Sequence, residues 1–214
     1  MAKKSRKWIL ERKKDYFYRR AKLEGYRSRA VYKLMQMNKK YRFLRKGFKV
    51  VDLGAAPGGW LQYSAEKVGK FGFVLGIDRR PIKPLSYSNV ETIQLDIFSE
   101  EVEELILKSV GSKVDVILSD LSPDISGVWS VDVARSIELC RRVNEISSKV
   151  LKRGGRLVLK LFEGRDTQNI VNKLKREFSF VKLFKPPASR KRSSEIYLIC
   201  LGFKADLTAS KKSL

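Results

Sequence analysis

The sequence predicts an α/β fold: a doubly wound sheet of mostly parallel strands, one antiparallel strand near the C-terminus, and helices ahead of the sheet. Three observations predict it. Short β-branched runs alternate with helical stretches through residues 48–177, the pattern of βαβ units. A glycine-rich turn, Gly54, Gly58 and Gly59, joins the first such strand to a helix. Two final strands follow one another with only a loop between them.

The elements follow in order. A helix-permissive stretch, Ser5 to Leu23, is charged nearly all round and is broken at Gly25. Ser28 suits the N-cap of a second helix, Arg29 to Phe43, with Val31, Leu34, Met35 and Met37 as its apolar stripe and Lys46-Gly47 as its end. Strands are expected at 48–53, 72–78, 90–95, 114–119 and 155–162, and helices at 60–68, 100–109, 130–152 and 167–177. Phe180 to Phe184 and Glu195 to Phe203 read as the closing strands, joined by the loop Lys185 to Ser194. The organisation expected is a basic helical extension over 1–47, a single α/β domain over 48–203, and a polar tail over 204–214.

Charge divides the chain in the same way. The net charge of the 214 residues is +23. Residues 1–49 hold 19 lysines and arginines against Glu11, Asp15 and Glu24, a balance of +16, and residues 182–214 reach +6. Residues 50–181 come to only +1. A near-neutral body between two basic ends implies a polyanion-binding surface. Trp8, Tyr16, Phe17, Tyr18, Tyr26 and Tyr32 are interleaved with the N-terminal cations, a mixture suited to stacking and charge contact with single-stranded RNA. Cys140 and Cys200 stand at no metal-ligand spacing and read as reduced thiols of a cytoplasmic protein. The basic start lacks the apolar run of a signal peptide, and no segment suits a membrane. There is no histidine, so a proton-transferring base must be Lys, Asp, Glu or Tyr, and no metal is expected.

The segment Val50-Val-Asp-Leu-Gly-Ala-Ala-Pro-Gly-Gly-Trp60 is the most informative. A strand turning through glycines into a helix brings backbone N–H groups against a ligand at the carboxyl edge of the sheet. The spacing is neither G-x-G-x-x-G nor that of a P-loop. Asp52, Asp78, Asp96 and Asp120 each close a strand, so four carboxylates are expected at one edge, where a cationic ligand would relieve their repulsion. Asp78 lies where an acid usually takes ribose hydroxyls. The alternative is that each acid caps the following helix.

Asp52-Leu-Gly-Ala-Ala-Pro-Gly-Gly-Trp60 resembles the S-adenosylmethionine motif of the FtsJ-type RNA 2′-O-ribose methyltransferases. Four further segments match in the family's order: Ser28 to Leu34, Ser119 to Gly127, Leu157 to Lys160 and Ser189 to Tyr197. The resemblance implies a Rossmann-like methyltransferase sheet. It also implies cofactor contacts from Gly58 and Trp60, from Asp78 to the ribose, Asp96 to the adenine and Asp120 to the methionine end. It places the family's catalytic tetrad on Lys33, Asp120, Lys160 and Glu195. Asp124 departs from the asparagine of bacterial members, a change that could alter substrate contacts.

Ser119-Asp-Leu-Ser-Pro123 has no cysteine beside it and is not the Asn/Asp-Pro-Pro-Tyr type of amino-group enzymes, which favours an oxygen acceptor. Lys160, closing an apolar strand, is the expected group that takes or polarises the hydroxyl proton, with Lys33 and Glu195 orienting the nucleotide. Within the family, the length and short basic leader are most similar to members that methylate a uridine ribose of large-subunit ribosomal RNA, acting as monomers. A transfer-RNA anticodon-loop enzyme is the rival of the same chemistry, ahead of the cap-directed members. An RNA-binding assembly protein without turnover is the rival of another class, and the glycine spacing disfavours an NAD-linked enzyme.

Overall fold

The computed structural model describes residues 15–190 and 192–205. The expected helix from Ser5 therefore lies partly outside the described residues, as does the tail beyond residue 205. Helix α1, Tyr16–Leu23, starts at Asp15, whose side chain accepts from the Tyr18 N–H and so caps it. Helix α2, Val31–Tyr41, buries Val31, Leu34 and Met37 along one side. Ser28 is not its N-cap: that position is Ala30, with no side-chain cap. Ser28 instead packs on Gly59, where an added Cβ would lie 2.5 Å from its hydroxyl. The helix ends early because Arg42 takes the left-handed conformation (φ 52°) that a glycine usually supplies. Asn38 backs this end, accepting from the Leu44 N–H at 2.9 Å.

Among the described residues seven strands form one sheet: β1 Lys49–Leu53, β2 Phe73–Asp78, β3 Val90–Gln94, β4 Val114–Ser119, β5 Leu151–Phe162, β6 Phe178–Phe184 and β7 Glu195–Phe203. Their order is β3-β2-β1-β4-β5-β7-β6. Strands β1 to β5 pair in parallel, while β7 lies antiparallel between β5 and β6. The single reversed strand is thus the second of the closing pair. The intervening helices are α3 Gly59–Val68, α4 Val102–Val110, α5 Trp129–Val150 and α6 Thr167–Glu177. Most boundaries fall within two residues of expectation. The exception is β5, which begins at Leu151 rather than 155: Leu151 already pairs with Val114, and the ladder absorbs Gly154-Gly155 through a register shift.

Both faces of the sheet are covered. Ile106, Ile137, Val143, Ile170 and Leu174 of α4, α5 and α6 pack on one face with Val51, Leu75, Ile117 and Leu157. On the other, Ala21, Val31, Leu34 and Met37 join Trp60 and Leu61 of α3 against Val50, Val116, Val158 and Tyr197. Helices α1 and α2 therefore share the core of the sheet, and the described part of residues 1–47 is not an appendage. No helix among the described residues is long and apolar enough to cross a membrane.

Candidate active site

The sheet order turns back between β1 and β4, so a crevice opens beyond their carboxyl ends. Gly54, just past β1, has φ +83°, and a Cβ there would meet Leu121 at 2.6 Å. Only glycine lets the turn after β1 lie so close to the loop after β4. The crevice holds a cleft of about 650 Å³ lined by Gly54, Asp78, Asp96, Leu121 and Arg135, among others. Asp78, the last residue of β2, and Asp96, beyond the end of β3, both line it. The Asp78 carboxylate also fixes the glycine turn, accepting from Ala56 N–H at 2.9 Å and Arg80 N–H at 2.8 Å. Asp96 stands two residues past β3 and accepts from the Phe98 N–H at 3.0 Å. None of the four acids is a helix N-cap; the caps that follow them are Gly58, Glu101 and Val128.

Asp52 departs from expectation. It is 1 % exposed, beneath the turn, and is not part of the cleft lining. Neither carboxylate oxygen has a hydrogen-bond partner among the described residues. Burial, with Asp120 and Asp78 nearby, pushes its carboxyl well above the ordinary range. Gly58 and Trp60 also stand off the cleft lining. Trp60 is buried, its indole N–H donating to Ala30 O at 2.8 Å and its ring 6.1 Å from that of Tyr197. It holds α2 over the sheet.

Lys33, Asp120, Lys160 and Glu195 come together from four separate segments. Lys160, 7 % exposed in its side chain, donates to Asp120 O at 2.8 Å and lies 3.2 Å from Asp120 Oδ1. Lys33 Nζ lies 2.5 Å from Glu195 Oε1. Tyr197 joins the two pairs: its hydroxyl donates to Asp120 Oδ1 at 2.6 Å and accepts from Lys33 at 3.3 Å. Burial pushes the Asp120 carboxyl up, but Lys160, Lys33 and the Tyr197 hydroxyl outweigh it and hold it below its usual value. The same enclosure, with Asp120 beside it, raises the Tyr197 phenol well above its ordinary value. Sequence reasoning gave Tyr197 no role. Its position two residues past Glu195 on one strand is the signal that could have found it, since i and i+2 share a face.

The two basic ends meet beside these groups. Arg29 donates to Ala188 O at 2.5 Å and pairs with Asp15, and Gln36 accepts from the Ala188 N–H at 2.8 Å. Arg190 lies 4.0 Å from the Asp15 carboxylate that Arg29 pairs with, so the surface beside Lys33 draws cations from both ends of the sequence.

The crevice sets strand-end carboxylates beside an amine held on one of them, an arrangement that can bind a ligand against an acceptor at the sheet edge. The model of the FtsJ-like methyltransferases matches residues 26–203, and the chain belongs to that family. It is 44 % identical over 198 residues to the ribosomal RNA large subunit methyltransferase E of Methanobrevibacter smithii, covering 92 % of this chain and 94 % of the relative. Its counterpart of the same name in Methanocaldococcus jannaschii is 47 % identical, covering 93 % of this chain and 82 % of the relative. Among solved structures, a ribosomal RNA methyltransferase of Plasmodium falciparum superposes with a TM-score of 0.75 at 32 % identity, covering 83 % of this chain and 98 % of that one.

Proposed function

We propose that this methyltransferase transfers a methyl group from S-adenosylmethionine to a ribose 2′-hydroxyl of large-subunit ribosomal RNA, most consistently a uridine. The observation that carries the chemistry is the buried Lys160 amine seated on Asp120 at the lip of the cleft. The shared name of the relatives supports the RNA.

The residues of the cleft fit the donor. Asp78, Asp96 and Asp120 give it carboxylates for a cationic, hydroxyl-bearing ligand, and Leu95, Ile97, Phe98 and Leu121 give it apolar walls. Asp78 and Asp96 would hold the nucleoside and Asp120 the end nearest the reaction, with backbone from Gly54 closing the site. Gly58 and Trp60 contribute by shaping the turn and its helix. When bound, the donor supplies an electrophilic methyl carbon on a sulfonium.

The acceptor side is the work of the tetrad. Beyond its own carbon, a lysine nitrogen has three positions for hydrogens or a lone pair, and Asp120 engages two of those of Lys160. Once Lys160 has released a proton to solvent, the third is a lone pair available to the 2′-hydroxyl. As the oxygen attacks, its proton passes to Lys160 Nζ, and Asp120 stabilises the resulting ammonium. Lys33, fixed by Glu195 and by the Tyr197 hydroxyl, orients the ribose. Alignment of this kind supplies several kcal/mol of a barrier. The cations that meet around Arg29 and Ala188, with residues 1–14, hold the phosphates.

Incubating the protein with labelled S-adenosylmethionine and, separately, large-subunit RNA, intact subunits and transfer RNA tests the assignment. Label on a ribose 2′-oxygen of large-subunit RNA is expected. Label confined to transfer RNA, or to a base, rejects it.

A further inference from the structure

We infer that Trp129 is a stacking platform for a nucleobase next to the target nucleotide; the inference rests on the RNA reading above. Ile125, Val128, Trp129 and Val131 form an exposed apolar run at the start of α5, although large apolar side chains mostly avoid water. Trp129 is 51 % exposed, and its ring stacks on that of Phe162 with centroids 5.8 Å apart and planes 22° from parallel. Phe162 backs the indole, and about half of the residue stays open to solvent.

The platform is anchored to its helix. Asp132 accepts from both the backbone N–H and the hydroxyl of Ser126, each at 2.7 Å, which ties the loop before Trp129 to the helix that carries it. It is also continuous with the tetrad. Phe162, the ring beneath, pairs directly with Glu195 across β5 and β7, two residues beyond Lys160. The loop that ends at Trp129 begins at Asp120. A strand whose ribose rests on Lys160 and Lys33, with phosphates toward Arg29 and Arg190, must lead its neighbouring nucleotides away from that side. The apolar indole on the far side of Glu195 offers a base the sequence-tolerant π-stacking on which single-stranded RNA binding depends.

The test compares Trp129→Leu, which covers Phe162 without an aromatic face, with Trp129→Phe, which keeps one. Affinity for a short fluorescein-labelled oligouridylate is read by anisotropy, and KM and kcat by methyl transfer to large-subunit RNA. Trp129→Leu should weaken oligouridylate affinity and raise the RNA KM about tenfold, leaving kcat and S-adenosylmethionine affinity near those of the unaltered protein. Trp129→Phe should recover most of the loss. Unchanged RNA affinity in Trp129→Leu overturns the inference, as does a Trp129→Phe protein equally impaired. A defect seen on assembled subunits but not on naked RNA also overturns it, because the face would then meet protein. Methyl transfer to no RNA by the unaltered protein sinks the activity instead; the oligouridylate arm would still decide the platform.

Discussion

Replacing Lys160 by methionine keeps an unbranched side chain of similar length on β5 and removes only the amine. Among the described residues that amine's hydrogen bond and ion pair both go to Asp120. The Asp120 carboxylate would keep the Tyr197 hydroxyl at 2.6 Å, so it is not left bare and the edge should fold. Positioned proton transfer contributes roughly 10²–10⁴-fold to a rate, which is about 2.7–5.5 kcal/mol of activation free energy. Single-turnover methyl transfer to large-subunit RNA should fall by that factor in Lys160→Met, while calorimetric titration shows S-adenosylmethionine binding retained. Lys160→Arg sharpens the test, because a guanidinium keeps the charge and cannot be deprotonated in a protein. An arginine variant as inactive as the methionine one supports a base. A methionine variant within a few-fold of normal turnover, with donor bound, would refute the assignment of the amine.

Asp52 makes a prediction about pH. A carboxyl raised in the folded state stabilises fully while it is protonated in both states, and loses that stability as pH climbs from about 4 toward its folded value. Asp52→Asn stays neutral throughout, so its advantage in urea midpoint over the native protein should be smallest near pH 4.5 and widen toward pH 8.5; parallel curves would show that Asp52 does not titrate as its enclosure demands. Asp124→Asn restores the asparagine of the bacterial pattern and breaks the exposed ion pair with Arg79. Surface pairs of this kind are screened by salt, so the unfolding midpoint at physiological ionic strength should not move, and a clear drop would contradict that. Removing residues 1–14 should weaken RNA binding and flatten the plot of log affinity against log salt by about 0.7 for each phosphate no longer neutralised, with donor affinity unchanged; an unaltered slope would take those residues out of the RNA site. The cut cannot extend to residue 27, because Tyr26 hydrogen-bonds Glu66 and Arg27 donates to the carbonyls of Lys83 and Pro84.

The strands and the glycine turn were legible because their signals are local: β-branched runs, and Gly54 and Gly58 at positive φ before a helix. The tetrad was not legible that way. Lys33, Asp120, Lys160 and Glu195 lie on four elements far apart in sequence, and only a resemblance could group them before the fold did. What lay outside both was depth and partnership. Asp52 and Asp78 both end parallel strands, yet one is sealed under the turn and the other faces the cleft. Spacing alone cannot separate them, since it depends on how the turn folds back over β1. Ser28 looked like a cap because its residue type caps helices, but close packing against Gly59 claimed it. Tyr197 passed unnoticed because an aromatic on an apolar strand is ordinarily core, and it is core apart from its hydroxyl.

The reversal of β7 sets which mutations the enzyme can absorb. Every neighbour of β7 reaches the working rim with its last residues, so lengthening the connection beyond the rim leaves the strand itself in place. At β7 the polarity is inverted: Glu195 is the first residue after the connection 185–194. An extra residue there would act directly on the carboxylate that steadies Lys33, which makes this short connection a poor site for tags, permuted termini or grafted segments.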